Sequence, residues 1–131
     1  MPEKMDWEEG DLLLRLESLA GDGEMRSAFD WYYRSYPGHG MRPAAPIALD
    51  SAEYPLFLRL VGFGEIVGLL VRRGLLREDI AHDRWMLGGP WAWLRLTVEQ
   101  ERSRFGPGFA RNFEWIAGRD TKRSERRPRR A

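Results

Sequence analysis

Residues 56–71 read LFLRLVGFGEIVGLLV, and this stretch decides what kind of fold the chain can form. Eleven of its residues are Leu, Ile, Val or Phe, and only Arg59 and Glu65 carry charge. On the membrane-insertion scale the apolar residues contribute about −3 to −7 kcal/mol, which the two charges offset by about 5 to 7 kcal/mol. A membrane span also needs ~20 residues. The stretch therefore predicts a buried core helix and no membrane span, with the helix opening near Pro55 and ending before Gly74.

Outward from this helix, apolar residues recur with a helical period in both directions, and no stretch alternates as a half-buried strand does. Glycine and proline groups separate the segments, and residues 37–50 are rich enough in both to predict a surface connection. The further helices are expected over about residues 7–20, 24–36, 78–87, 91–104 and 109–117. We therefore predict an all-α fold, a compact bundle of five to six helices in one domain covering residues 1–117.

The C-terminal segment, residues 118–131, differs from the rest in having almost no apolar side chain. It reads GRDTKRSERRPRRA, and only Ala131 is apolar. Such a segment cannot offset its ordering entropy by burial. It therefore predicts a disordered, Arg-rich tail.

Composition excludes several chemistries. The 131 residues include no cysteine and only two histidines, which removes disulfides, thiol catalysis, iron–sulfur clusters and thiolate zinc sites. The serines show neither a nucleophile elbow nor the spacing of a triad, and no cofactor is predicted. The first ten residues, MPEKMDWEEG, are acidic and lack an apolar stretch, so no secretory signal and a cytoplasmic location are expected.

Charge is unevenly distributed along the chain. Residues 1–65 carry twelve acids and six bases, whereas residues 119–131 carry two acids and seven bases. The basic end predicts a possible nucleic-acid contact through phosphates, although the acidic first half opposes it. The arginines that would make this contact are Arg123, Arg126, Arg127, Arg129 and Arg130.

Glu65 lies mid-helix among apolar neighbours, where a carboxylate without a partner would cost several kcal/mol. Arg84 and Arg95 are candidate partners in a polar core. A structural ion pair, a ligand-binding or acid–base carboxylate, and simple exposure all remain open. Gly64 and Gly68 leave two bare patches on one helix face, which predicts the close approach of another helix rather than a phosphate site.

Two segments contain a histidine, a residue type that binds metals or acts as a general base. Glu78, Asp79, His82 and Asp83 lie within a turn and a half, but one imidazole is too few for the usual zinc sites, so we predict a helix start with an exposed i,i+4 pair. His39 has no identifiable partner for general-base work. No metal or catalytic site is predicted.

Six tryptophans in 131 residues is a high count. Trp91 and Trp93 point about 200° apart on a helix, so one of them is expected near the surface. Exposed tryptophans anchor many protein interfaces. The candidate interaction surface consists of Trp91, Trp93 and Trp115.

About half of the chain resembles a family of small, uncharacterised bacterial helical proteins, a domain of unknown function. The matching residues are EIVGLLVRRGLL (65–76), EDI (78–80), a tryptophan-bearing helix ending in Glu101-Arg102, and NFEWIA (112–117). The family usually has adjacent tryptophans, whereas this chain has Trp91-Ala92-Trp93, and many relatives carry an N-terminal membrane helix that is not seen here. The resemblance implies an all-α fold and a bacterial cytoplasmic setting, and it implies no activity.

Three functional hypotheses follow. The first is a non-enzymatic module that binds an unknown protein partner or a second copy of itself through its aromatic surface. The second is a nucleic-acid-associated protein that uses the basic tail. The third is an enzyme or ligand binder that uses a buried Glu65–arginine pair.

Overall fold

A computed structural model describes residues 6–35 and 42–126. Helices make up 77% of these residues, which contain no strand. The all-α prediction is confirmed. The helices are α1 (Trp7–Gly21), α2 (Gly23–Ser35), α3 (Tyr54–Arg72), α4 (Glu78–Trp85), α5 (Gly88–Phe105) and α6 (Arg111–Arg126).

The central element is α3, which packs against α2, α4 and α6, while α5 packs on α6 and α1 lies on α2. Its buried face carries aromatic and aliphatic side chains, and the ring of Phe63 meets those of Phe29 in α2 and Trp85 in α4. The largest side chains with essentially no exposure are Phe57, Phe63, Val67, Leu76, Leu94, Val98 and Phe113. The stretch identified from its composition is therefore the core helix of the bundle.

Gly64 and Gly68 bring α6 against α3, as predicted. A Cβ atom at Gly64 would lie 2.5 Å from the ring of Phe113, and one at Gly68 would lie 2.7 Å from the carbonyl carbon of Asn112. Both distances are far shorter than any real contact of a Cβ atom. Only glycine at these two positions permits the observed helix separation.

The turn from α4 to α5 departs from the expected boundaries. Helix α4 ends at Trp85, where Met86 adopts a left-handed conformation (φ 45°), and α5 already begins at Gly88. Pro90 is the third residue of α5 rather than a residue before it. A proline is tolerated there because the first N–H groups of a helix have no intrahelical acceptor.

Helix α6 is longer than predicted. It continues to Arg126, so the predicted disorder is wrong for residues 118–126. Hydrogen bonds and ion pairs, and not the burial of apolar side chains, hold this segment to α4 and α5. Residues 127–131 lie outside the described residues.

Residues 42–53 run along α5 before α3 begins. The backbone N–H of Ala44 donates to the carbonyl of Trp93 at 2.9 Å, and that of Ile47 donates to the Thr97 hydroxyl at 3.1 Å. Thr97 is fully buried, so this contact satisfies a polar group that would otherwise be costly. The segment is tied to the bundle although it has no helix of its own.

By length and composition alone, α3 could also cross a membrane. Within the described residues it is the only helix that is long and apolar enough to do this. Of its most apolar 18 residues, 44% are buried inside the protein. The core helix of a folded domain has the same properties. The other residues of α3 include three exposed aliphatic side chains, Leu58, Ile66 and Leu69.

Candidate functional site

Glu65 reaches from α3 to the first turn of α6. One carboxylate oxygen accepts the backbone N–H of Phe113 at 2.8 Å, and the other accepts the side-chain amide of Asn112 at 3.4 Å. Phe113 is the third residue of α6, whose N–H has no acceptor within the helix. The carboxylate therefore caps α6 from a neighbouring helix, at the positive end of the helix dipole.

The predicted arginine partners of Glu65 are not its partners. Arg84 donates to Glu17 of α1, and Arg95 forms an i,i+4 pair with Glu99 on the surface of α5. The predicted Glu65–arginine pair is therefore wrong, because free N–H donors at the start of α6 satisfy the carboxylate instead. The enzymatic hypothesis that rested on this pair loses its basis.

Of the three tryptophans of the candidate interaction surface, only Trp93 is buried in the core. Trp93 is only 7% exposed, and its ring packs 4.8 Å from that of Trp31 and 5.6 Å from that of Tyr32. The prediction that Trp93 belongs to the interaction surface is therefore wrong. The tertiary fold turns Trp93 toward α2, which the helical angle alone could not show.

Trp91 and Trp115 are partly buried, and each lies beneath an arginine. Arg102 lies 5.9 Å from the Trp91 ring centroid, and Arg72 lies 5.1 Å from that of Trp115. The Trp91 ring also meets Phe113 edge-on at 5.3 Å. These cation–π contacts stabilise the fold.

The basic residues of the predicted nucleic-acid tail are partly engaged by the protein itself. Arg119 donates to Glu78 at 2.7 Å, and Arg123 approaches the same carboxylate at 3.4 Å. Arg126 is the last residue of α6. Arg127, Arg129 and Arg130 lie outside the described residues, as does His39.

His82 and Asp120 form a buried pair that the sequence did not reveal. The Nδ1–H of His82 donates to one oxygen of Asp120, whose other oxygen accepts the backbone N–H of Gly88 at 3.0 Å. His82 is 5% exposed, so its prediction as part of an exposed pair is wrong. No metal-binding group of three or more His, Cys, Asp or Glu side chains occurs in residues 6–35 and 42–126.

One signal could have identified Asp120. The inward residues of α6 recur at helical spacing, and Asp120 falls one turn after Ile116 on the same buried face. The absence of apolar side chains beyond Ala117 concealed this continuation. A polar residue in register with a core face therefore indicates a tertiary partner.

A second buried polar pair joins the start of α3 to α5. The hydroxyl of Tyr54 donates to the carboxylate of Glu101 at 2.7 Å, and both residues are almost fully buried. Burial, followed by the effect of the Glu101 carboxylate, raises the pKa of Tyr54 above its ordinary value. This pair anchors the N-terminal end of the core helix.

An open groove of about 610 Å³ lies beside the His82–Asp120 pair, between the end of α2, the α4–α5 turn and the last turns of α6. We call it the α6 groove. The helix α6 supplies its polar side and α2 with Trp85 its aromatic side. The lining residues are Tyr32, Tyr33, Arg84, Trp85, Met86, Gly88, Gly89, Ala92, Asp120, Thr121, Ser124 and Glu125.

An exposed apolar stripe runs along α3, on the side away from its buried face. Leu58, Gly62, Ile66 and Leu69 follow one another at intervals of three or four residues, which places them on one helix face. The three large side chains are 37%, 43% and 41% exposed. We call these four residues the α3 stripe.

In comparisons with known proteins, no family model, no curated protein and no solved structure matches this chain. The resemblance to a bacterial helical family therefore stays a prediction.

Proposed function

We propose that this protein is a non-enzymatic module that self-associates by pairing α3 with α3 of a second copy. The observation that carries the proposal is the α3 stripe, an apolar face on the most apolar helix of the described chain. Its aliphatic residues do not belong to the cluster of buried core side chains. Contiguous exposed apolar residues of this kind mark interaction surfaces.

The order of residues in the α3 stripe favours an antiparallel pair. About a twofold axis between Gly62 and Ile66, Ile66 of one copy lies opposite Gly62 of the other, and Leu58 lies opposite Leu69. Gly62 has no atom near the position of an added Cβ, so its bare backbone accommodates the larger isoleucine. Both copies use the same residues, as a twofold interface requires.

Charge favours the same orientation. Arg73 follows the α3 stripe along the same face and is exposed, whereas the charge of Arg59 is compensated by Glu24 at 2.6 Å. A parallel pair would bring Arg73 of one copy next to Arg73 of the other, whereas an antiparallel pair separates these two side chains by the length of the helix. Like charges in contact are destabilising. The arginines therefore disfavour the parallel arrangement.

The size of the α3 stripe determines how strongly two copies are expected to associate. It extends over twelve residues, from Leu58 to Leu69, or ~17 Å of helix. Its four residues bury less than the ~1,200 to 2,000 Å² of a stable complex. We expect weak association that depends on concentration. The proposal therefore places self-association on α3 and not on the aromatic surface that the sequence predicts for the later helices.

Sedimentation velocity over a range of concentrations tests self-association. Ile66→Glu should keep the chain monomeric, whereas Leu14→Glu, which changes an exposed leucine of α1, should associate as the parent does. A parent that stays monomeric throughout contradicts the proposal. Flotation of the chain with lipid vesicles, abolished by Ile66→Glu, would instead assign the α3 stripe to a membrane.

Orientation is tested by disulfide formation, which the absence of native cysteines makes clean. Leu58→Cys and Leu69→Cys proteins should cross-link efficiently when mixed and poorly when alone. Efficient cross-linking of each variant with itself would show a parallel pair and refute the antiparallel geometry. The cytoplasmic location and the nucleic-acid alternative stay predictions from the sequence.

A further inference from the structure

The α6 groove has the size and the two-sided chemistry of a small-molecule site. Its volume of about 610 Å³ falls within the ~300 to 1,000 Å³ typical of ligand pockets. Tyr32, Tyr33 and Trp85 give one side an apolar, aromatic character, while hydroxyl and carboxylate oxygens of α6 border the other. A ligand with a flat apolar body and a polar end matches this division.

The glycines of the α4–α5 turn shape the floor of the α6 groove. A Cβ atom at Gly88 would lie 2.7 Å from the carboxylate of Asp120, and one at Gly89 would overlap the hydroxyl of Tyr32. Both side chains can therefore lie against the backbone of α5 only because these residues are glycines. The His82 contact fixes Asp120 further, so this wall is held in place before any ligand arrives.

The charged and polar groups around the α6 groove determine which sign of ligand charge it favours. The α6 side offers the carboxylate of Glu125 and the hydroxyl of Ser124, while both oxygens of the Asp120 carboxylate are already occupied by His82 and Gly88. Arg84 borders the groove as well, but its guanidinium donates to Glu17 of α1. Oxygen acceptors and aromatic faces both attract cations. The groove therefore favours a positively charged ligand over an anion.

We propose that the α6 groove binds an organic amine, a primary or methylated ammonium on an aromatic or alkyl body. The apolar body contacts the aromatic side, and the ammonium faces Glu125 and Ser124 on α6. Because the groove is formed by helices other than α3, this binding is independent of the self-association proposed above.

Calorimetric titration of the full chain tests the proposal with three probes of similar size, namely phenethylamine, phenethyl alcohol and phenylacetate. We expect the amine to bind about three- to tenfold more tightly than the alcohol, and the anion to bind most weakly. Equal affinity for amine and alcohol, or no binding of the amine, overturns the proposal.

Variants locate the binding in the α6 groove. Ala92→Phe, which fills the groove from an exposed position on α5, should abolish amine binding, and Ser124→Trp should do the same from the opposite wall. Glu125→Gln should weaken amine binding about three- to tenfold, whereas Glu99→Gln, on α5 outside the groove, should leave it unchanged. Undiminished binding in both filled variants refutes the assignment.

Discussion

Replacing Gly68 with alanine should destabilise the protein, because the added methyl group has no room between α3 and α6. Its Cβ atom would lie 2.7 Å from the carbonyl carbon of Asn112, whereas ordinary contact begins at 3.4 Å. The carbonyl oxygen of Asn112 would lie closer still, so the helices would have to separate by more than roughly 0.7 Å, the difference between these two distances. The neighbour is backbone, which cannot rotate away as a side chain can.

The magnitude follows from two opposing effects. Overpacking of a core costs about 1 to 3 kcal/mol, and alanine in a helix recovers about 0.5 to 1 kcal/mol relative to glycine. Because the neighbour is backbone, the upper part of the overpacking range applies, about 2 to 3 kcal/mol, and we expect a net loss of about 1 to 2 kcal/mol in the free energy of unfolding. For a domain of this size the melting temperature should fall by about 3 to 10 °C.

Urea and thermal unfolding, followed by circular dichroism, measure this loss. The matched control is Gly118→Ala, at an exposed position of α6 with no atom within 4 Å of the added Cβ, which should stabilise the protein by about 0.5 to 1 kcal/mol. If Gly68→Ala is at least as stable as the parent, α3 and α6 do not approach each other as described, and the reasoning fails.

Three further changes test the polar contacts. Glu65→Ala removes the cap of α6 and should lower the free energy of unfolding by about 1 to 2 kcal/mol, with reduced hydrogen-exchange protection at Phe113. Glu65→Gln keeps an acceptor and should keep most of the stability. Unchanged protection of Phe113 in Glu65→Ala would argue against capping. Truncation after Gly118 removes Asp120, the partner of the buried His82, and should clearly lower the melting temperature. Truncation after Arg126 should not lower it. Equal melting temperatures of the two truncated proteins would show that the last turns of α6 are dispensable. The pKa of Tyr54 is raised by burial and by its carboxylate partner, so above about pH 10 the unfolded chain loses this proton first and stability falls; Tyr54→Phe should show a shallower fall, and an identical pH profile would contradict the assignment.

The sequence determined the features that depend on local pattern. Helical periodicity and glycine–proline breaks were enough to predict the class of fold and the positions of α1 to α5 within a few residues. The composition of residues 56–71 identified the core helix, and the spacing of Gly64 and Gly68 predicted a close helix neighbour. These properties follow from the size of the side chains and from the spacing of apolar residues, and both can be read from a single segment of the chain.

Only the tertiary structure decided which groups meet. Glu65 found backbone donors at the start of α6, Trp93 turned into the core, and Asp120 ordered a segment that has nothing apolar to bury. A carboxylate accepts a bond from any donor within reach, so its partner depends on how the helices are arranged and not on its neighbours in sequence. The same arrangement exposes one face of α3 and opens the α6 groove, because a helix pattern defines an apolar face without specifying which part of it another helix will cover.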